Sequence, residues 1–260
     1  MALLRAAFSS FWISMRIRFI SPFAVLGWLL FPAIFGAVGL FVLNRPGETP
    51  EQVAYGILGG GLVGYWSVAY LDGGFGIQSE RWNGTLEQIF AAPTPFWVIL
   101  AGKSVGSVLW GMLAFLPTLA LAFFGFHAVM PHLDAGAFTA SFAVLSFSFL
   151  SVAFGFAPLF ALWRWATPMI NGFELGFYLL CGFMFPVTIL PLWAQGLAAA
   201  LAPTWATTAI YAATTTKGPH DFAYWWAAAI ALSVAYLAGA WWLYRLVDRK
   251  ARLSGELALA

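Results

Sequence analysis

Two carboxylates sit inside long apolar runs, where an ionisable group is costly and usually functional. Asp72 occurs in Asp72-Gly73-Gly74, toward the end of its run. It could reach the headgroup region, pair with Arg81 or Arg164, or serve as an ion-coupling group. Glu174 lies about eight residues into its run, roughly 12 Å by helical rise. It must face protein or a cavity, either hydrogen-bonded within a bundle or lining a translocation pathway, with proton coupling a third option.

Other reactive residues are poorly placed for catalysis. Gly102-Lys103-Ser104 ends like a P-loop, but the first glycine position holds Trp97 and no strand precedes it. ATP hydrolysis by this chain is therefore not expected, and Lys103 should snorkel from a span toward the interface. His127, His132 and His220 fall between apolar runs, with no His-Glu-x-x-His helix and no Asp-rich cluster to hold Mg²⁺. The one cysteine, Cys181, lies within an apolar run, so neither a disulfide nor a Cys-based metal site follows. The expectation is a chain that is not an enzyme, with no metal site, no cofactor of its own and no nucleic-acid partner.

The elements that must position these residues follow from composition. Of 260 residues, 62% are hydrophobic and 8% charged, whereas soluble domains carry about a quarter charged residues. Apolar runs of around 20 residues recur, each long enough to cross a hydrocarbon core of roughly 30 Å as a helix. This predicts an all-α integral membrane protein with six spans, at 22–43, 53–77, 97–126, 136–162, 166–186 and 222–244. The first run is too long for a signal peptide and leads into Asn44-Arg45-Pro46, so it reads as a retained span.

Residues 1–21 form a separate unit. Arg5, Ser9 and Arg16 make one stripe, with Leu4, Phe8, Phe11, Met15 and Phe19 on the neighbouring face and Arg18 off the stripe. This fits an amphipathic helix in the membrane interface, the alternative being a basic flank of the first span. Gly56, Gly59, Gly60, Gly61 and Gly64 give the second span small-xxx-small spacing for close helix packing, or a gating hinge. Between spans five and six, 187–221 follows Pro186 and is apolar but broken by Pro191 and Pro203. Irregular backbone at membrane depth survives only where protein or a water cavity satisfies it, so two short re-entrant helices are expected on one face.

Basic residues set the orientation. With the N-terminus inside, Arg5, Arg16, Arg18, Arg81, Lys103, Arg164, Arg245, Arg249, Lys250 and Arg252 fall inside, and only Arg45 and Lys217 outside. The bias places both termini in the cytoplasm of a multi-pass plasma-membrane protein. Segment 222–247 then carries span six and 248–260 a cytoplasmic tail.

The loop after span two, 79–93, reads as a short capped helix. Thr85 is a candidate N-cap with Gln88 as capping-box partner, Glu87 suits the positive N-terminal end, and Pro93 and Pro95 stop the helix. Leu86, Ile89 and Phe90 form an apolar ridge suited to a partner's groove, or to resting on the lipid surface.

Here the chain resembles the permeases of type-2 ABC exporters. Their spans two and three are joined by a cytoplasmic Glu…Gly-Thr-Leu-Glu…Pro segment, matched by Glu80, Gly84, Thr85, Leu86, Glu87 and Pro93. Their late segment is matched by Gly182, Phe185-Pro186, Leu190-Pro191, Trp193 and Pro203, with Ala202 where the family usually has Asn. Interface helix, spans one and two (22–77), coupling helix, spans three to five (97–186), re-entrant pair and span six fall in the family's order. The resemblance implies a permease working with a second copy or a homologous permease. Its coupling helix, with Glu80, Arg81, Gly84, Thr85, Leu86, Glu87, Ile89, Phe90 and Pro93, would seat in a separate ATPase subunit that binds ATP and Mg. Glu174 would belong to the pathway, and Phe183, Phe185, Pro186, Pro191, Leu192 and Trp193 to an outer gate. The substrate would be amphiphilic or hydrophobic; an ion-driven carrier using Asp72 or Glu174, and an intramembrane enzyme or scaffold, are the rival readings.

Overall fold

The computed structural model describes residues 2–43, 49–74, 76, 80, 83–85, 88, 94–130, 132–162, 166–215 and 221–254. Among these the chain is 86% helical with no strand. The elements are α1 (Ala2–Ile20), α2 (Pro22–Leu43), α3 (Pro50–Gly74), α4 (Phe96–Met112), α5 (Phe115–Ala120) with a π-helical turn (Leu121–Gly125), α6 (Ala135–Leu162), α7 (Ala166–Leu180), α8 (Leu192–Ala199), α9 (Ala202–Thr215) and α10 (Phe222–Ser254). Among the described residues, four stretches are long and apolar enough to cross a membrane: Val25–Val42, Phe96–Gly125, Ala135–Phe160 and Phe222–Val247. The chain is a multi-pass membrane protein.

Helix α3 is the axis of the bundle. Its 25 residues rise roughly 37 Å, and α2, α4, α6 and α9 pack around it. Leu62, Tyr65, Trp66, Ala69 and Tyr70 are fully buried there. Being shielded by protein, α3 carries glycines and ring hydroxyls in place of a greasy exterior. Trp66 stacks on Phe177 at 4.4 Å and on Tyr70 at 5.1 Å, with Phe149 edge-on at 5.2 Å. The glycines serve close packing: a Cβ on Gly60 would lie 2.2 Å from the Gly36 nitrogen, and one on Gly64 2.4 Å from the Pro32 ring.

Several boundaries differ from the sequence reading. The third span is broken at Leu113-Ala114, where Pro117 can neither donate to the Leu113 carbonyl nor avoid its oxygen. Helix α7 has 15 residues, about 22 Å, and stops short of the expected residue 186. The chain turns at Gly182, whose φ of 69° is left-handed and open to glycine at no steric cost. Phe183 then folds back into the core, fully buried, and the Tyr211 hydroxyl donates to its carbonyl. Helix α10 runs to Ser254, through residues expected to begin the tail.

The two short helices after Pro191 are α8 and α9, joined at Ala200-Leu201. They divide the labour unequally. Helix α9 is buried against α6 and α10 through Ala202, Ala206, Ala209 and Ile210, whereas α8 leaves Leu192, Trp193 and Leu197 exposed.

Candidate functional site

The functional candidates gather where α1 meets α4 and the last turn of α3. Gly102 and Gly106, one turn apart on α4, make a flat seat for α1. A Cβ on Gly102 would lie 2.3 Å from the Ala7 carbonyl oxygen, and one on Gly106 3.3 Å from an Arg18 nitrogen. Ser10 Oγ donates to the Ile99 carbonyl at 2.7 Å, and Phe19 meets Trp110 edge-on at 4.7 Å. The packed face of α1 is therefore Ala7, Ser10, Ser14 and Arg18. Arg5, Ser9 and Arg16 face outward as expected, but so do Leu4 and Phe8.

Arg18, the residue that spoiled the stripe, is the centre of the arrangement. Its Nε lies 3.0 Å from Asp72 Oδ2, and its Nη2 donates to Ser107 Oγ at 2.9 Å. Ser107 Oγ itself donates to the Lys103 carbonyl at 3.0 Å. Asp72 thus pairs with Arg18; Arg81 and Arg164, the partners expected for it, lie outside the described residues. A tertiary contact across 54 positions of sequence, 72 less 18, supplied the partner.

Lys103 forms an ion pair with the largely buried Glu80. The Thr85 hydroxyl donates to the same carboxylate, and the Thr85 amide donates to the Glu80 carbonyl at 3.0 Å. Gly84, at a φ of 68°, closes this turn. Thr85, expected to cap a helix through Gln88, thus turns back on Glu80. Arg81, Leu86, Glu87, Ile89, Phe90 and Pro93 lie outside the described residues.

The two ion pairs differ in accessibility. Glu80 and Lys103 side chains are 10% and 24% exposed, and Arg18 is 12% exposed, but Asp72 is 44% exposed. That exposure lies along an open cleft. A cavity of about 770 Å³ under α1 is lined by both pairs together with Ser10, Ser14 and Thr85. A second, of about 290 Å³, adjoins it at Arg18, Leu71 and Asp72 and extends to Gly27, Phe31, Ser67 and Trp110.

Ser67 links that inner cavity to Glu174. Its Oγ donates to Glu174 Oε1 at 2.7 Å, and the Tyr178 hydroxyl donates to the same oxygen and also meets Ser67. Glu174 is buried, so the hydrogen-bonded arrangement is realised.

The residues expected at an outer gate are not brought together as one cluster. Phe183 plugs the core, Phe185 and Pro186 are half-buried, and Pro191, Leu192 and Trp193 face outward, Leu192 at 85% and Trp193 at 72% exposure. Sequence reasoning missed Arg18, Ser107 and the cavities. The legible signal was the small or polar series Ala7, Ser10, Ser14, Arg18 facing Gly102-x-x-x-Gly106. No protein-family model and no curated protein matches this sequence.

Proposed function

We propose that this chain is the permease subunit of an ATP-driven type-2 ABC exporter, moving an amphiphilic or hydrophobic, drug-like or lipid-like substrate outward across a prokaryotic plasma membrane. Both termini are cytoplasmic in this reading, and a second permease copy or a homologous permease completes the membrane unit. The reading is carried by the clamp of Lys103, Glu80 and Thr85 at the start of the loop between α3 and α4. A motor subunit can shift a membrane domain only through a contact that differs between two states. A loop whose first turn is ion-paired to α4, which in turn seats α1, transmits such a displacement instead of absorbing it. ATP and Mg would be bound by the partner ATPase.

The test is the joint replacement of Leu86 and Glu87 by alanine in the reconstituted complex. Substrate-stimulated ATP turnover is expected to be lost while membrane insertion and thermal stability are kept; normal stimulated turnover removes the coupling assignment. The ion-driven alternative draws on Asp72 and Glu174, both of which border or adjoin the inner cavity. Transport by the purified chain without ATP would select it.

A further inference from the structure

Two adjoining cavities, the first lined by charges and hydroxyls beside apolar side chains and the second mainly by apolar and aromatic ones, meet at the Arg18–Asp72 ion pair. We propose that they form a binding site for a lipophilic cation, with Asp72 as its counter-ion and the inner cavity between Phe31 and Trp110 as the seat of its apolar part.

Of the four charges around the outer cavity, Asp72 is the most exposed, at 44%, while its partner Arg18 is 12% exposed and Lys103 24%. An incoming guest therefore meets a carboxylate before it meets a guanidinium. Arg18 touches Oδ2 and is held independently by Ser107, so Asp72 can engage a guest without casting the guanidinium loose. The pairs neutralise each other, so a monovalent cation brings a charge that Asp72 can share, whereas an anion would face shielded cations already satisfied. In a site of low dielectric such a counter-ion acts more strongly than it does in water. Beyond Asp72 the side chains of Phe31 and Trp110 line the inner cavity, and aromatic rings attract cations. Gly27 opens this space: a Cβ there would meet nothing within 4 Å.

That this guest is the exported cargo rests on the exporter reading; its binding does not. The probe is tetraphenylphosphonium, with tetraphenylborate as a counterpart of the same shape and opposite charge, measured by equilibrium binding to the purified full-length chain. Saturable binding of the phosphonium is expected, with no competition from the borate. Asp72→Asn should weaken it about tenfold or more, because the ion pair is lost and Arg18 is left unbalanced, while Asp72→Glu should restore most of it. Gly27→Leu adds a bulky side chain at a position bordering the inner cavity, where a Cβ meets nothing within 4 Å, and should weaken binding while the chain stays folded, which tests the site even if Asp72→Asn fails to fold. Equal competition by the borate, or wild-type affinity in folded Asp72→Asn or Gly27→Leu, overturns the proposal. Intact binding together with failure of ATP-driven transport would count against the exporter reading and leave the site standing.

Discussion

Glu174 illustrates what a buried carboxylate requires of its neighbours. Its oxygen takes hydroxyl donors from α3 and from its own helix one turn on, at Ser67 and Tyr178. Removing it leaves Ser67 and Tyr178 only each other, so one hydroxyl loses its acceptor away from water at a cost of about 1–3 kcal/mol. Glu174→Ala should therefore lower the unfolding temperature in detergent clearly more than Glu174→Gln, which keeps an acceptor in place. An equal loss in both variants would mean that the hydroxyls do not depend on it. The depth of Glu174 was legible from its distance along an apolar run, because helical rise is fixed. Its donors were not, because Ser67 lies 107 positions away and only the crossing of α3 with α7 brings them together. The same holds for Asp72, visible as a charge in an apolar run, and for Arg18, visible only as a residue off the polar stripe: neither named its partner.

At the scale of elements, glycine spacing decides which helices touch. Gly102 lies against backbone, the Ala7 carbonyl, at a distance no Cβ tolerates. Gly102→Ala should push α1 off α4 and break the Ser10–Ile99 bond, speeding hydrogen exchange or proteolysis across residues 2–20. Gly176→Ala on α7 is the control, since a Cβ there meets nothing within 4 Å. It should be neutral or stabilising by up to about 1 kcal/mol through helix propensity. Helix existence could be read from apolar length, and most starts fell within a few residues of expectation. Helix ends were less legible where tertiary structure set them. Helix α7 stops early because Gly182 turns left-handed so that Phe183 can enter the aromatic core around Trp66 and Phe149, an event no local pattern announces.

At the scale of the whole molecule, sidedness is the expectation that organises the rest. Cys181 is buried, so it should stay unlabelled by an aqueous maleimide and leave introduced cysteines readable. Gly84→Cys should label only from the cytoplasmic side and Asp221→Cys only from outside; the reverse pattern would place the loop away from any cytoplasmic motor. Sequence alone determined that this chain is helical and lives in lipid: with 8% charged residues, its backbone can be satisfied in a bilayer only by helices or a closed barrel, and apolar runs of around 20 residues suit helices, not strands of about 10. It also marked the costly charges, Asp72 and Glu174. Only the tertiary structure decided what each charge pairs with and where cavities open between them. Those depend on which helix faces come into register, and a one-dimensional pattern of apolar length holds no information about the azimuth at which two helices meet.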